Sequence, residues 1–401
     1  MPDYDAFLLL SFGGPEGPAD VLPFLENVTR GRGVPRQRLE QVAEHYYAAG
    51  GVSPISAQCR ELLAALAPVL RAGLPGLRLY WGNRNWHPFV ADTVRQMKAD
   101  GVGRAVAFVT SAYSSYSACR QYLDDIDRAV AAAGPGAPQV DKIRPYFNHP
   151  GFIEPFAAST ELALASLPAA VQDGARLVFT AHSIPAGMAA TSGSALQGTA
   201  APGAAGGRYQ AELRDAARLV TERVRGGSLG HDLVFQSRSG PPGVPWLEPD
   251  INDHLRSLAQ GTGPDGVPLP GGPPAAVIVV PVGFVSDHME VVHDLDVTAA
   301  ATAAAVGLPF ARAAAPSATR RFAGMVAELV AELTSGAPAL SLGPLGPRHY
   351  AAGAFGPGGQ ACPSDCCQYA PARPAAAQPA QSAQSALAQP APAQPAPRTQ
   401  A

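Results

Sequence analysis

The sequence lacks several features, and each absence excludes a class of protein. No stretch approaches the roughly 18 consecutive apolar residues of a membrane-spanning helix, so an integral membrane protein is not expected. Basic and acidic residues nearly cancel, with 29 Lys and Arg against 32 Asp and Glu. Without a basic excess or a basic stripe interleaved with aromatic residues, the sequence does not indicate nucleic-acid binding.

Cysteine is also rare. The chain of 401 residues holds five, an odd number that argues against the disulfide framework of a secreted protein. The first residues, MPDYDAFLLLSFGG, carry acids where an export signal needs Lys or Arg, and their short apolar run ends at glycines. We therefore expect a cytoplasmic protein whose cysteines are metal ligands or buried thiols.

Short apolar runs rich in β-forming residues recur along the chain, with helical patterns between them. The helical pattern over 55–70 places Cys59 and Leu62 on one apolar face, and a second helical pattern covers 207–224. Near-continuous apolar strands that alternate with helices are typical of parallel sheets covered on both faces. The predicted strands are 6–12, 77–83, 105–111, 143–147, 176–183, 232–237 and 276–284.

The series of strands divides near residue 150, leaving about four strands on each side. We therefore predict an α/β protein with two doubly wound, parallel-sheet domains, residues 1–150 and 151–337. Two Gly- and Pro-rich segments, 192–207 and 261–274, are predicted to be surface loops.

Beyond residue 337 the alternation of strands and helices ends. The segment 338–370 contains three of the five cysteines, Cys362, Cys366 and Cys367, in the stretch ACPSDCCQYA. The last residues, 371–401, are a Pro-, Ala- and Gln-rich low-complexity tail that cannot bury enough apolar surface to offset chain ordering, so we predict that it is disordered.

An unusual polar residue follows the predicted strand in RLVFTAHSIP. His182 stands where that strand ends, ahead of Pro185, which stops a helix. In open α/β sheets ligands bind beyond the carboxyl ends of the strands, so His182 is a candidate site residue. The alternative is a histidine that only caps a turn.

A second polar group follows the predicted strand in VIVVPVGFVSDHMEVVHDLDV. A helix is expected to begin at Ser286 or Asp287, and the spacing of Asp287, Glu290 and Asp294 places the three acids on one face. His288 lies beside them. Burial of stacked acids raises their pKa values, which suits a proton relay or a transient metal path. The alternative is a solvated helical face.

Six segments together resemble the signatures of the ferrochelatase family, in that family's order and at its spacing over about residues 5–335. The resemblance implies two similar Rossmann-like domains with a porphyrin cleft between them. It also implies a lyase-type metal chelatase that inserts Fe(II) into a porphyrin and releases two protons. The segments are LSFGGPEGPADVLPFLENV, GGVSPI, YWGNRNWHPFV, FTAHSIP, FQSRSGPPGVPWLEPDI and FVSDHMEVVHDLD.

The resemblance identifies His182 and Glu290 as the catalytic pair and as ligands of the substrate Fe(II), on opposite sides of the macrocycle. A neutral imidazole can accept a proton or hand over iron, and a carboxylate can do either. The sequence does not assign delivery of the metal to one and removal of protons to the other. By the same resemblance, Asp287, His288 and Asp294 are relay residues.

The carboxylates of a porphyrin need anchors, and the planar fork of arginine suits them. Arg30 is the first of four arginines in TRGRGVPRQR, at least two of which we expect to be solvated. Arg84 resembles a cleft arginine of the family, although it could equally brace the two domains. Ser53 and Tyr122 are predicted hydroxyl donors. Phe12 stands where some bacterial members of the family place a tyrosine facing the metal, so we expect no axial tyrosine ligand.

Some ferrochelatases, in the actinobacterial branch, hold a [2Fe–2S] cluster through three C-terminal cysteines and one internal cysteine. The resemblance assigns Cys119, in TSAYSSYSACRQY, as the internal ligand beside Cys362, Cys366 and Cys367. Four thiolates suit [2Fe–2S] or structural zinc, and the C-x₃-C-C spacing is not one of the usual paired zinc spacings. Cys59 is predicted to be a buried thiol.

The high use of Ala, Gly, Pro and Arg is typical of a GC-rich genome such as an actinobacterial one. The family branch found there uses coproporphyrin III, which is the predicted substrate. The alternatives are a protoporphyrin IX ferrochelatase, a cobalt chelatase and a non-catalytic haem or iron–sulfur sensor. A monomer is expected, with an iron donor and a downstream enzyme of haem synthesis as partners.

Overall fold

Eight strands form two parallel sheets, as the alternating apolar runs predict. The computed structural model describes residues 4–193, 207–240, 243–317, 319–344 and 366–369. The strands are β1 (Ala6–Ser11), β2 (Arg78–Asn83), β3 (Arg104–Val109), β4 (Gln139–Lys142), β5 (Ala175–His182), β6 (Gly230–Gln236), β7 (Ala276–Val280) and β8 (Phe310–Arg312).

Helices connect the strands. They are α1 (Val21–Val28), α2 (Arg36–Ala48), α3 (Ile55–Gly73), α4 (Val90–Ala99), α5 (Gln121–Ala133), α6 (Pro150–Ala165), α7 (Ala169–Gln172), α8 (Ala186–Ala190), α9 (Gly207–Thr221), α10 (Ile251–Ala259), α11 (Met289–Val291), α12 (Ala300–Ala305) and α13 (Arg320–Thr334). Two π-helical segments, Tyr116–Arg120 and Val292–Ala299, precede α5 and α12. None of the described helices is long and apolar enough to cross a membrane.

The two sheets share one topology, with strand orders β2-β1-β3-β4 and β6-β5-β7-β8. In the first sheet the chain passes from β1 to β2 on one side of β1, and then from β2 to β3 on the other side of β1. The second sheet repeats this pattern with β5, β6 and β7. This reversal creates a crevice beyond the carboxyl ends of the two central strands, where open α/β sheets bind ligands. In the second sheet those strands are β5 and β7. The predicted α/β fold of two similar parallel sheets is therefore confirmed.

The central strands are fully buried, which explains their unbroken apolar sequences. Residues Ala6–Leu10 of β1 and Ala276–Val280 of β7 have no exposed surface. One apolar cluster joins the sheets, because Phe7 of β1, Phe108 of β3 and Phe179 of β5 belong to it. The predicted helices over 55–70 and 207–224 are confirmed as α3 and α9.

Two strand predictions need correction, and one strand was missed. The predicted strand 143–147 is wrong, because strand β4 lies earlier, at Gln139–Lys142, and the chain then leaves the sheet. Pro145 has no N–H to donate to a ladder, and the Tyr146 N–H donates to Ala112 instead. Strand β7 ends at Val280, before Pro281 and short of the predicted residue 284. Strand β8 was not predicted, since three half-buried residues give no periodic signal.

The chain after α13 returns to the first sheet's half of the molecule. Arg144, which is 5% exposed, donates to both carboxylate oxygens of Glu332 at 2.7 and 2.8 Å and to the Leu340 carbonyl at 2.9 Å. The Leu342 N–H donates to the Asn148 carbonyl at 2.9 Å. Residues 261–274 form a loop, as predicted. The predicted tail 371–401 lies outside the described residues, as does most of 192–207.

Gly283 follows β7 at the point where the chain approaches β5 most closely. Its N–H donates to the Thr180 carbonyl at 2.9 Å, and a Cβ at this position would lie 2.5 Å from the Ala181 Cβ. No side chain fits there without separating the two central strand ends of the second sheet.

Gly283→Ala is therefore expected to lower the free energy of unfolding by about 1–3 kcal/mol, the usual effect of overpacking. Urea denaturation measures the change. Gly324→Ala is the matched control, because a Cβ there meets only the end of Arg321 at 3.8 Å within helix α13. That variant should be neutral or stabilising. Equal stability of Gly283→Ala and the wild type would contradict the close contact.

Candidate active site

His182 is the last residue of β5 and lies at the crevice of the second sheet. Its carbonyl accepts a hydrogen bond from the Tyr209 hydroxyl of α9 at 3.0 Å. Its Nδ1 lies in hydrogen-bond contact with the Ser183 carbonyl, so Nδ1 carries the proton. The other ring nitrogen, Nε2, lies 3.7 Å from Oε1 of Glu290. The backbone therefore selects the tautomer and aims Nε2 at the carboxylate. This contact leaves no room for a macrocycle between the two side chains, so their predicted placement on opposite sides of it is wrong.

Glu290 is held at the start of the helix that follows β7. His288 is the N-cap of α11, where its Nδ1 accepts the Glu290 N–H at 3.3 Å. The helix does not begin at Ser286 or Asp287, so the predicted capping residue was wrong. The Glu290 side chain remains 46% exposed, which leaves it open to a ligand.

The close contact shifts both titrations. Burial alone would lower the pKa of His182, but the Glu290 carboxylate and the Ser183 carbonyl outweigh it and raise that pKa. Burial would raise the pKa of Glu290, but the His182 charge and its hydrogen bond dominate and lower it to about 2. Glu290 is therefore ionised at neutral pH.

Asp294 is the second acid on this helix. The Ser237 hydroxyl, one residue beyond β6, donates to its carboxylate. Burial raises the pKa of Asp294; Ser237 opposes this shift, and the negative charge of Glu290 adds to it. The structure thus places two acids of different proton affinity next to each other.

Asp287 does not share a face with these two acids, contrary to prediction. It precedes α11, and the chain from Val292 to Ala299 is π-helical, with more residues per turn than the predicted α-helix. The Asp287 carboxylate pairs with Arg312 at 2.8 Å and accepts the Ala315 N–H at 3.3 Å. It is committed to this ion pair rather than directed to Glu290.

Two contacts join the first half of the molecule to this helix. The Gln58 side chain of α3 forms two hydrogen bonds with the Asp287 backbone. It accepts the Asp287 N–H at 3.0 Å and donates to the Asp287 carbonyl at 3.4 Å. His45 of α2 stacks on His293, with ring centroids 3.8 Å apart and planes at 14°. Burial, His293 and Arg38 lower the pKa of His45, which favours a neutral stack. The π-helical segment is thereby held at His293, and the chain that leads into α11 is held at Asp287.

The first sheet contributes apolar and basic groups. Phe12 follows β1, is 38% exposed and packs edge-on against Phe24 at 6.3 Å. Ser53 is buried against Gly14, where a Cβ would lie 2.6 Å from the Ser53 Cβ. Arg30 is exposed and, within the described part of the chain, forms no ion pair. Its charge is available to a ligand.

Arg84 and Tyr122 lie inside the helical layer of the first sheet. Arg84 pairs with Asp125 at 3.0 Å, its guanidinium lies 5.0 Å from the Tyr122 ring centre, and Tyr122 is 4% exposed. Arg84 therefore does not brace the two halves. Its role and that of Tyr122 as porphyrin contacts stay predictions, and in this conformation Asp125 already neutralises the Arg84 charge.

The cysteines divide into a core thiol and a second group. Cys59 is buried on α3, and burial raises its pKa to about 11, as expected for an inert thiol. Cys119 is 2% exposed in the π-helical turn Tyr116–Arg120, which Ser115 caps by accepting the Ala118 N–H at 3.0 Å. Cys362 lies outside the described residues.

Cys366 and Cys367 are 1% and 2% exposed, and their sulfur atoms lie 3.7 Å apart. Two thiolates that bind one metal ion tetrahedrally at ~2.3 Å lie ~3.8 Å apart, so this spacing fits metal coordination. The Gly193 N–H points at the Cys367 sulfur at 3.1 Å, a donor that stabilises a thiolate. The Tyr369 ring lies 6.5 Å from Tyr116, beside the Cys119 turn.

Cys119, Cys366 and Cys367 do not form a complete site by themselves. Within the parts of the chain that the structure describes, no group of three or more His, Cys, Asp or Glu side chains is arranged to hold a metal ion. The spacing and burial of the adjacent pair fit two ligands of a larger set.

Four residues that hold the site were missed from sequence. Tyr209, Gln58, Gln236 and Ser237 act through hydrogen bonds between segments far apart in the chain. Only the last two left a signal, because they are polar residues at the end of an apolar strand, as His182 is. Tyr209 and Gln58 lie on helices whose patterns give no sign of these contacts.

Known proteins resemble this chain in sequence. The sequence model of the ferrochelatase family matches residues 4–334. The chain is similar to a coproporphyrin III ferrochelatase from Nocardia farcinica, with 52% identity over 93% of this chain and 98% of the relative. It is also similar to a protein of that name from Mycobacterium avium, with 53% identity over 85% and 92%. A ferrochelatase from Rhodopirellula baltica is 46% identical over 93% and 96%.

Among solved structures, SirB from Bacillus subtilis shares 11% identity with a TM-score of 0.47, covering 83% of this chain and 98% of that one. The sequence match of the family runs through both sheets. It includes His182 at the end of β5 and Glu290 in α11.

The raised pKa of His182 gives a pH prediction. Glu290→Gln removes the charge that offsets burial, so the pKa of His182 should fall below its wild-type value, as an NMR titration of its ring protons would show. The pair stabilises the wild type above the low pKa of Glu290, and this contribution fades as the pH rises through the raised pKa of His182.

The exposed pair of Arg238 and Glu248 provides a control for this titration. Glu248→Gln also removes one carboxylate but leaves the crevice of the second sheet intact, so the pKa of His182 should stay unchanged. An unchanged pKa of His182 in Glu290→Gln would show that the 3.7 Å contact does not exist in solution.

Proposed function

The chain belongs to the ferrochelatase family, and we propose that it inserts Fe(II) into coproporphyrin III, producing Fe-coproporphyrin III and two protons in haem biosynthesis. One observation supports this function most directly: His182 Nε2 lies 3.7 Å from the Glu290 carboxylate at the crevice of the second sheet. Relatives that share about half of their residues with this chain carry the name coproporphyrin III ferrochelatase.

The reaction needs a site for Fe(II) and an acceptor for the two pyrrole protons. Glu290, ionised and half-exposed, supplies a negative oxygen that suits a divalent cation. His182 supplies a nitrogen whose lone pair is exposed whenever the ring is neutral. We assign both residues as ligands of the entering Fe(II), with His182 also able to take a pyrrole proton.

Asp294 and His288 are the proposed relay residues for the protons that the macrocycle releases. Asp294 has a raised pKa, so it exchanges protons at a higher pH than Glu290 does. His288 contacts the Glu290 backbone, and burial lowers its pKa, so it is neutral at physiological pH. Protons taken from the macrocycle would leave through Asp294. Asp287 is paired with Arg312, so we assign it to holding the chain before α11 and not to carrying protons.

Three residues from the first sheet's half of the molecule suit the macrocycle and its carboxylates. The exposed Phe12 ring offers an apolar face, and phenyl cannot ligate iron, so no axial tyrosine takes part. The unpaired charge of Arg30 and the buried Ser53 hydroxyl are the proposed anchors. Coproporphyrin III carries four carboxylates, which makes an exposed arginine more valuable for it than for protoporphyrin IX.

We further propose that Cys119, Cys362, Cys366 and Cys367 hold a [2Fe–2S] cluster. The 3.7 Å sulfur–sulfur distance, the burial of three of these thiols and the Gly193 N–H aimed at Cys367 support the assignment. Such a cluster supplies one-electron redox chemistry. The cysteines themselves would tie the C-terminal segment to the turn at Cys119, so a structural or sensing role is expected.

Iron insertion is tested anaerobically with Fe(II) and either coproporphyrin III or protoporphyrin IX, following loss of the free-base porphyrin spectrum. Coproporphyrin III should turn over faster. His182→Ala and Glu290→Gln should each lower kcat at least about 100-fold, the usual contribution of a general base or metal ligand.

His231→Gln is the control, because His231 is exposed at the start of β6, far along the strand from the crevice. Its activity should match the wild type. Faster turnover of protoporphyrin IX would overturn the substrate assignment, and turnover of neither porphyrin would overturn the enzyme.

The cluster is tested by iron, acid-labile sulfide and zinc analysis of the full chain purified without oxygen, together with its visible absorption. Cys119→Ser and Cys366→Ser should lose iron, sulfide and the absorption, because each removes a ligand. Cys59→Ala should keep all three, since Cys59 is a core thiol. Stoichiometric zinc without sulfide would contradict the cluster and support a zinc site.

A further inference from the structure

The last residue of strand β6 and the residue after it contact Glu290, a proposed iron ligand, and Asp294, the proposed exit for protons. Gln236 is its last residue and is 1% exposed. The Gln236 side-chain amide donates to the Glu290 carbonyl at 2.9 Å. The next residue, Ser237, donates its hydroxyl proton to the Asp294 carboxylate. Two consecutive residues thus hold two successive acids of the helix after β7.

The same strand end is tied to His182. In the parallel pairing of β5 and β6, Gln236 is the register partner of His182. The Ser183 N–H donates to the Gln236 carbonyl at 2.8 Å. The backbone of Gln236 is therefore fixed to the histidine strand, while its side chain is fixed to the backbone of Glu290. A displacement of this strand end would move His182 relative to Glu290.

Ser237 occupies an unfavourable conformation to make its contact. Its φ is +60°, in the left-handed region that glycine adopts without cost and that residues with a Cβ adopt rarely. Glycine would satisfy the turn better than serine does. The presence of serine is explained if its hydroxyl is needed, and the acceptor of that hydroxyl is Asp294.

We propose that Gln236 and Ser237 are positioning residues for metal insertion, which orient Glu290 and Asp294 toward His182. The proposal rests on the proposed function, because it assigns Asp294 to the proton path. Ser237 fixes the Asp294 carboxylate in one rotamer, and Gln236 fixes the first turn of the helix. Neither residue is assigned a contact with the porphyrin or with iron.

Ser237→Gly separates positioning from structure. Glycine relieves the positive φ, so the melting temperature should stay equal to that of the wild type or rise. Loss of the hydroxyl should lower kcat about tenfold, the effect of one hydrogen bond to a charged group. The KM for coproporphyrin III should stay unchanged, because Ser237 does not bind it. A residue needed only for the turn would show no loss of kcat.

Two further variants complete the series. Ser237→Asn should recover part of the lost kcat, because asparagine tolerates positive φ and its side-chain amide can donate to Asp294. Ser239→Gly is the matched control on the same loop, since Ser239 is exposed, and its kcat should be that of the wild type. Recovery in Ser237→Asn with no change in Ser239→Gly would assign the effect to the donated hydrogen bond.

A double-mutant cycle with Asp294→Ala tests the partner. If Ser237 acts through Asp294, adding Ser237→Gly to Asp294→Ala should lower kcat no further. Additive losses would overturn the proposal, as would wild-type kcat in Ser237→Gly. An inactive wild type would overturn the proposed function instead, so the two failures are distinguishable.

Gln236→Met provides a second, independent variant of similar length that lacks the amide donor. It should lower kcat while leaving the KM for coproporphyrin III unchanged, since the Glu290 carbonyl loses its fixed partner. Wild-type kcat in a folded Gln236→Met would remove Gln236 from the proposal. The Ser237 series remains decisive if this buried position does not tolerate the substitution.

Discussion

The contact between His182 and Glu290 is the constraint on which the rest of the site depends. An imidazole and a carboxylate 3.7 Å apart shift each other's pKa, which keeps Glu290 ionised and makes His182 more basic. Neither residue is near the other in sequence. They meet because β5 and β7 are the central neighbours of one parallel sheet, and their carboxyl ends open into one crevice.

Much of the surrounding structure keeps that contact in place. Tyr209 fixes the carbonyl of His182, and Ser183 selects its tautomer. Gln58 reaches from the first half of the molecule and brackets the backbone just before Glu290. The lack of a side chain at Gly283 lets the two strand ends approach each other closely. The site is therefore supported by the packing of both sheets, not by the second sheet alone.

The features predicted correctly from the sequence are those that depend on a local pattern of apolar and polar residues. The apolar runs gave seven strand predictions, six of them near observed strands, and the position of His182 at a strand end followed from the same pattern. Asp287 was misplaced because its partner, Arg312, lies 25 residues away on a three-residue strand, and because π-helical turns change the spacing of the acids. Gln58 and Tyr209 were missed because hydrogen bonds from a helix to a distant strand end or loop leave no periodic signal in the sequence.

The most direct test of this account is a crystal structure of the protein soaked with Co(II) under anaerobic conditions, using anomalous scattering to locate the metal. The account predicts Co(II) bound by His182 Nε2 and a Glu290 oxygen at about 2.0–2.2 Å, the range for nitrogen and oxygen ligands of similar ions. Metal at the His45–His293 stack or elsewhere, with no metal at His182 and Glu290, would contradict it.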